Sequence, residues 1–106
     1  MTVEEILRRG GEADDVLRDV VGALHEGGAG WVGIAFVESD RLELGPSAGG
    51  EPPAEIQRHP VVWRGAKVAE LQAAPDADPE PLRRAAALIA PYCLVGWDTG
   101  GEPWRP

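Results

Sequence analysis

The sequence contains one cysteine, Cys93, among its 106 residues. One thiol cannot form an internal disulfide, and it cannot supply a metal site that needs two or more thiolates. The two histidines, His25 and His59, have no second histidine or cysteine at the spacing of a zinc motif. We therefore expect no metal and no disulfide, so that the stability of the fold comes from an apolar core.

Basic residues and long apolar runs are also scarce. Ten lysines and arginines stand against 18 aspartates and glutamates, for a net charge of -8. Such a surface repels phosphate backbones and anionic lipid headgroups, so we expect no nucleic-acid and no membrane partner. No apolar run approaches the roughly 20 residues of a membrane span. Glu4 and Glu5 stand where a signal peptide would carry basic and then apolar residues, and the expected location is cytoplasmic.

The first 26 residues carry a strong helix pattern. Thr2 and Glu5 have the spacing of a capping box, and apolar residues then recur three and four apart. Gly10-Gly11 interrupts this pattern, because two glycines cost a helix interior about 2 kcal/mol relative to alanine. The sequence therefore predicts a short helix to about Arg9 and a longer helix over 12–26.

The last helix has an equally clear beginning. Asp78 is a good N-cap, and Pro79 suits the first helical position. Pro91 is expected to kink or end this helix. Its apolar face repeats at helical spacing and consists of Leu82, Ala85, Ala86, Ile89 and Cys93. We interpret Cys93 as a structural residue of this face, since a reactive thiol needs a neighbour that stabilises the thiolate.

Two hairpins are predicted between the helices. The first joins 31–38 to 41–46, and the second joins 55–63 to 66–73. Both faces of 31–38 are apolar, which is typical of an inner strand. The glycine- and proline-rich stretch 47–53 between the hairpins is predicted to be a loop.

The order helix, hairpin, loop, hairpin, helix predicts an α+β sandwich. In this fold a small antiparallel sheet of about four strands carries the N- and C-terminal helices on one face. A chain of 106 residues forms a single domain, 1–106. Pro60 lacks an amide donor, which indicates either a sheet edge or a bulge in the third strand. Trp97 and Trp104 lie in the segment 94–106, which we expect to pack back on the face that the helices leave free.

Three short stretches occur in an order that is typical of a known protein family. Gly30–Ile34 reads Gly-Trp-Val-Gly-Ile, Pro60–Leu71 contains Pro-Val-Val, Gly and Val-Ala-Glu-Leu, and Leu88–Pro91 reads Leu-Ile-Ala-Pro. Together they resemble a GAF domain, and the first hairpin is most similar to that of the free methionine-R-sulfoxide reductases. The resemblance implies a GAF-like sheet, with Trp31 at the position of a pocket tryptophan and Glu55 near that of a ligand-binding glutamate.

The sequence departs from those reductases where they carry their chemistry. Their catalytic cysteines lie on the loops between the two hairpins, whereas about ten residues without cysteine join Leu44 to Glu55 here. Ala35 replaces a pocket tyrosine, and Gln72 and Ala74 replace ligand-binding acids. The resemblance therefore implies a reduced ligand site. Because one thiol cannot complete a cycle of sulfoxide reduction and resolution, we predict no catalytic residues, no cofactor and no enzyme activity.

Two functions remain open from the sequence. The first is an interaction module that forms a homodimer through its terminal helices, because their apolar positions exceed what a thin sheet is expected to cover. The alternative is a sensor of an unidentified small molecule, with a reduced pocket near Trp31. Its candidate ligand-binding residues are Trp31, Glu55, Trp63 and Trp97.

Overall fold

A computed structural model describes residues 2–94 of the chain. The predicted packing of Trp97 and Trp104 concerns residues outside this range. The elements, in chain order, are α1 (Val3–Arg9), α2 (Ala13–Glu26), β1 (Val32–Glu38), β2 (Arg41–Ala48), β3 (Gln57–Trp63), β4 (Ala66–Ala73) and α3 (Pro79–Ile89), followed by a 3₁₀ turn at Ala90–Cys93.

The predicted beginnings of α1 and α3 are confirmed by their hydrogen bonds. The Thr2 hydroxyl accepts from the Glu5 amide at 3.1 Å, and the Glu5 carboxylate accepts from the Thr2 amide at 2.8 Å, which completes the capping box of α1. At α3 the Asp78 carboxylate accepts from the Glu80 amide at 3.1 Å. These local contacts fix where the helices begin.

The four strands form one antiparallel sheet in the order β2-β1-β4-β3. Each predicted hairpin supplies two neighbouring strands, and β1 pairs with β4 in the middle of the sheet. The predicted α+β fold class is therefore confirmed. Pro60 lies on the edge strand β3, where its missing amide removes no inner hydrogen bond.

Three strand boundaries differ from the sequence prediction, and the first is the start of β1 at Val32 rather than at residue 31. Strand β2 continues through Pro46 to Ala48, because the pairing with β1 shifts between Gly33 and Ala35 and this irregularity accommodates the proline at the sheet edge. Strand β3 begins at Gln57 rather than at residue 55. The loop between the hairpins accordingly lies at 49–56 instead of the predicted 47–53.

A second irregularity in pairing determines which residues of β4 share a face. The pairing with β3 shifts between Val61 and Val62, so that Val62 faces Lys67 instead of Val68. Val68 packs partly buried against the core. Simple alternation along β4 would place Val68 on the same face as Glu70, but the irregularity puts Lys67 there instead.

All three helices lie on one face of the sheet. Helix α2 packs over β1 and β2, and α3 packs over β3 and β4. This side is the helix-covered face, and its strand residues are Val32, Ile34, Phe36, Val61, Ala69, Leu71 and Ala73. No helix within residues 2–94 combines the length and the apolar character needed to cross a membrane.

The helices bury their apolar stripe within the single chain. Val16, Leu17, Val20 and Val21 of α2 are at most 1% exposed. Our premise that the sheet cannot cover these residues was wrong, because a four-stranded sheet together with α1 and α3 encloses them. The helix-mediated homodimer remains a prediction, and uncovered apolar residues of α2 do not support it.

Candidate functional site

The side of the sheet opposite the helices is the helix-free face. Strand pairing assigns to it Gly33, Ala35 and Val37 of β1, Leu42, Leu44 and Ser47 of β2, Arg58, Pro60 and Val62 of β3, and Lys67, Glu70 and Gln72 of β4. It combines small residues, exposed apolar residues and charged residues on a single surface.

Trp31 occupies one end of the helix-free face. A Cβ added at Gly33 would lie 2.9 Å from ring carbon Cη2 of Trp31 and 3.0 Å from Cδ1 of Leu44, so the indole lies directly over the glycine. Trp31 is only 2% exposed. Its indole N–H is buried and has no acceptor within residues 2–94. The ring therefore fills the space beside β1 instead of lining an open pocket.

The segment 49–56 carries the chain from the edge strand β2 to the opposite edge strand β3. Gly49 has a φ of 104°, and a Cβ there would lie 2.3 Å from the Gly30 carbonyl oxygen. Only glycine fits this approach to the start of β1. Glu55 lies exposed on this segment, whereas Trp31 is buried.

Trp63 lies far from Trp31. It pairs with Ala66 at one end of β4, whereas Val32, next to Trp31, pairs with Ala73 at the other end. The two tryptophans are therefore separated by the length of β4, about 25 Å. Trp63 also packs toward the core on the helix-covered face. Trp31 and Trp63 thus do not share a pocket, and Trp97 lies outside the described residues.

A charged cluster occupies the middle of the helix-free face. The Glu70 carboxylate, whose side chain is 6% exposed, accepts from Arg58 at 2.7 Å, from Lys67 at 2.8 Å and from the Gln72 amide at 2.8 Å. Burial alone would raise the pKa of Glu70, but the hydrogen bonds from Lys67, Gln72 and Arg58 outweigh it and hold the pKa below its ordinary value.

The two cations of this cluster remain accessible. The side chains of Arg58 and Lys67 are 55% and 43% exposed. An arginine has five N–H donors and a lysine three, and each contact to Glu70 uses one of them. With two cations to one anion, the cluster is locally positive on a chain whose net charge is -8. It can accept a further carboxylate from a group lying over the face.

A second candidate site lies in the helix layer. A groove of about 430 Å³ opens between the start of α1, the end of α2 and the start of α3. Its apolar lining includes Val3, Ala23, Leu24, Ala77, Leu82 and Ala85. At its rim Arg84 lies 3.6 Å from Glu4. This helix-layer groove has room for a ligand or for a protruding side chain of another protein.

The groups most capable of chemistry are tied into the structure. Cys93 is 3% exposed, and burial raises the pKa of its thiol to about 12, so the thiolate is not available at neutral pH. The prediction of a buried structural cysteine is confirmed. Within residues 2–94, no three histidine, cysteine, aspartate or glutamate side chains are grouped to hold a metal ion.

His59 supports the turn before α3. The Gln57 amide nitrogen donates to the carbonyls of Ala77 at 2.8 Å and Ala74 at 3.0 Å, so its amide oxygen faces His59 Nε2 at 2.8 Å. That oxygen can only accept, and Nε2 therefore carries the proton. Burial, together with the charge of Arg83, lowers the pKa of His59. The histidine is held neutral in a structural link.

Comparison with known protein families and with curated proteins gives no match. Among solved structures the chain is similar to the crystal structure of the GAF domain from Acinetobacter phosphoenolpyruvate-protein phosphotransferase, with a TM-score of 0.67 and 15% sequence identity. The similarity covers 86% of this chain and 87% of that chain. The fold is that of a GAF domain. At this identity the similarity extends to the fold alone, and the finer resemblance to the sulfoxide reductases stays a prediction.

Two features of this GAF-like fold were not predicted from the sequence. The first is the cluster around Glu70, although an acid and an amide two residues apart on an inner strand, Glu70 and Gln72, are a signal that their face has polar partners. The second is the helix-layer groove. Its walls come from three helices, and nothing in the spacing of their residues indicates the gap between them.

Proposed function

We propose that the chain is a non-catalytic interaction module with a reduced ligand site, which pairs with a second copy through its terminal helices. The observation that carries the reduced site is the position of Trp31. Its indole fills the space over Gly33 and is 2% exposed, so a ligand there would first have to displace a large apolar side chain. Displacement would expose an indole of some 200 Å², at a cost of a few kcal/mol.

The support for pairing comes from the outer surface of α1 and α3. Arg84 and Glu4 link these helices at one level, and the Tyr92 hydroxyl donates to the Leu7 carbonyl oxygen at 3.4 Å at another. Leu88, midway between Arg84 and Tyr92 along the chain, is 37% exposed. Leu88 and the apolar lining of the helix-layer groove supply apolar area that a second copy would bury, with the Arg84–Glu4 ion pair at the rim.

Light scattering at tens of micromolar tests the pairing. We expect twice the chain mass of 11.3 kDa. Leu88→Glu places a charge on the proposed interface and should return the mass to that of one chain. Leu44→Glu is the matched control, because Leu44 is similarly exposed, at 45%, but lies on the helix-free face. A monomer in the unmodified chain, or dissociation by Leu44→Glu alone, would reject the helix interface.

Small-molecule sensing is a second candidate function, favoured by the helix-layer groove. Its volume of about 430 Å³ falls in the range of known ligand pockets, about 300–1,000 Å³. It lies between the helices and not beside Trp31. A thermal-shift screen against metabolites, cyclic nucleotides and free methionine sulfoxides tests this function, since a ligand at a hundredfold over its Kd adds about 2.7 kcal/mol. Ala23→Phe, which fills the groove, should abolish any shift that arises there.

The absence of catalysis is tested separately. Incubation with free methionine-R-sulfoxide, thioredoxin, its reductase and NADPH should give no NADPH consumption above background, because the Cys93 thiol is buried and has a pKa of about 12. Cys93→Ala is the control. Consumption that this substitution removes would overturn the non-catalytic assignment.

A further inference from the structure

The walls of the helix-layer groove are fixed by hydrogen bonds from residues outside it. One wall is the segment 76–78, which precedes α3. The Gln57 side chain on β3 donates to the Ala77 carbonyl oxygen at 2.8 Å and to the Ala74 carbonyl oxygen at 3.0 Å. The Ala77 amide also donates to the Ala74 carbonyl oxygen, at 3.1 Å. The sheet therefore holds this wall in place.

A second wall is the turn that follows α2, at residues 27–29. The Ala29 amide donates to the Leu24 carbonyl oxygen at 3.2 Å, and the Ala29 carbonyl oxygen lies 2.7 Å from His25 Nδ1. Because a carbonyl oxygen only accepts, Nδ1 carries the proton. With both walls fixed the groove is preformed, so a ligand loses little affinity to the ordering of its surroundings.

The buried part of the groove lining is apolar. It consists of Leu24, Ala29, Ala77, Leu82 and Ala85, each at most 9% exposed. Three of these five residues are alanines, whose short side chains leave room between the helices. A ring or an alkyl chain in this space would remove apolar area from water, as in most ligand pockets.

The exposed rim of the groove is acidic. Its charged residues within 2–94 are Glu4, Asp76, Asp78 and Arg84. Arg84 faces Glu4 at 3.6 Å, so the one described cation of the rim is already opposed by an acid. Asp78 caps α3 through the Glu80 amide. The side chain of Asp76 has no hydrogen-bond or ion-pair partner in the part of the chain that the structure describes. The rim thus carries an excess of negative charge beside an apolar interior.

We propose that the helix-layer groove binds an amphiphilic amine, a small molecule with an apolar ring or alkyl body and a protonated amino group. The body lies among the buried apolar residues, and the ammonium group donates to the carboxylate of Asp76 or Asp78. The net charge of -8 also favours the approach of a cation over that of an anion. This ligand class presupposes small-molecule binding in the groove, the second candidate function above.

Three phenyl compounds of similar size and different charge test the ligand class. They are phenethylamine, phenethyl alcohol and hydrocinnamate, which carry a cation, no charge and an anion. Titration of the full chain is followed by the NMR shifts of the backbone amides of Ala23, Gly27 and Ala77, which line the groove. We expect phenethylamine to bind about tenfold more tightly than phenethyl alcohol, and hydrocinnamate to bind most weakly.

A matched pair of double variants locates the charge that attracts the amine. Asp76→Asn with Asp78→Asn removes two charges from the rim and should weaken phenethylamine binding by about tenfold, while phenethyl alcohol binds as before. Asparagine is as good an N-cap as aspartate, so α3 keeps its beginning. Glu43→Gln with Glu51→Gln removes two charges from β2 and the segment 49–56 and should leave the binding of both compounds unchanged.

Two results would overturn the ligand class and leave small-molecule binding intact. The first is that phenethyl alcohol or hydrocinnamate binds as tightly as phenethylamine. The second is that the Glu43 and Glu51 double variant weakens phenethylamine binding as much as the rim variant does. A different result rejects small-molecule binding in the groove itself, and the ligand class with it: none of the three compounds shifts these amides, or Ala23→Phe leaves the shifts unchanged.

Discussion

The two faces of this sheet are built from the same four strands but depend on different physical effects. On the helix-covered face, Ile34, Phe36 and Leu71 are at most 1% exposed and pack against helices. On the helix-free face, the residues directly beside them on the strands are small or polar, such as Ala35 and Gln72. One face excludes water by packing, and the other buries polar groups that satisfy each other.

This difference predicts how substitutions act on each face. The helix-covered face tolerates little change because each side chain fills space that neighbours cannot refill. The helix-free face holds Trp31 over Gly33 and the cluster around Glu70, which are matched pairs of residues. A substitution there should act through its particular partner, and the following experiments measure this contrast.

The largest expected effect separates the faces directly. Ile34→Ala removes a fully buried side chain and should lower the free energy of unfolding by about 2–5 kcal/mol. Leu44→Ala, at a side chain that is 45% exposed on the other face, should cost less than about 1 kcal/mol. Urea unfolding measures both. Equal losses would mean that the two faces are packed alike.

The next effect concerns the charged cluster. The double substitution of Arg58 and Lys67 by alanine leaves the Glu70 carboxylate buried with the Gln72 amide as its remaining partner, and it should lower the free energy of unfolding by about 2–3 kcal/mol. Adding Glu70→Gln to this background should recover part of the loss, because no buried charge then remains. If the third substitution made the protein still less stable, the cluster would not act as an electrostatic unit.

The pH dependence of stability gives a smaller effect. Because the pKa of Glu70 is lowered in the folded state, its contribution is complete above the unfolded value near 4.5 and is lost as the pH falls through the folded value. The stability difference between the native chain and Glu70→Gln should therefore shrink between pH 6 and pH 3. Urea unfolding at each pH measures it. A constant difference would show that Glu70 titrates alike in both states.

The smallest effect is expected at Trp31. The indole N–H is buried without an acceptor in residues 2–94, so Trp31→Phe removes an unsatisfied donor while keeping most of the apolar area. The two changes oppose each other, and the net change should be within about 1 kcal/mol. A much larger loss in urea unfolding would indicate that the indole N–H has a partner in solution.

The elements of this fold were predictable because their signals are local. The capping residues Thr2 and Asp78 each bond within three positions of the chain, and Pro60 limits its strand to an edge. The candidate site was less predictable because its contacts are distant in sequence. Arg58 and Glu70 are twelve positions apart in the sequence. Lys67 lies on the same face as they do because of an irregularity in strand pairing, which the residue pattern does not predict.

The predicted site residues illustrate the same limit. Trp31 was correctly placed beside an inner strand, but its exposure depends on Gly33 and Leu44, which leave just enough room for the ring. Trp63 appeared equivalent from the sequence, yet the alternation of β3 turns it toward the helices. Side-chain type identified the candidate ligand-binding residues, but the sheet register determines which of them lie close together.

The strand order β2-β1-β4-β3 has a consequence for how the chain folds. Each half of the sheet is a hairpin closed by a two-residue turn, and only the β1–β4 pairing joins strands distant in sequence. We expect the hairpins to form early and their meeting to limit the folding rate. In stopped-flow measurements, truncating Ile34 or Leu71 in the central pair should therefore slow refolding.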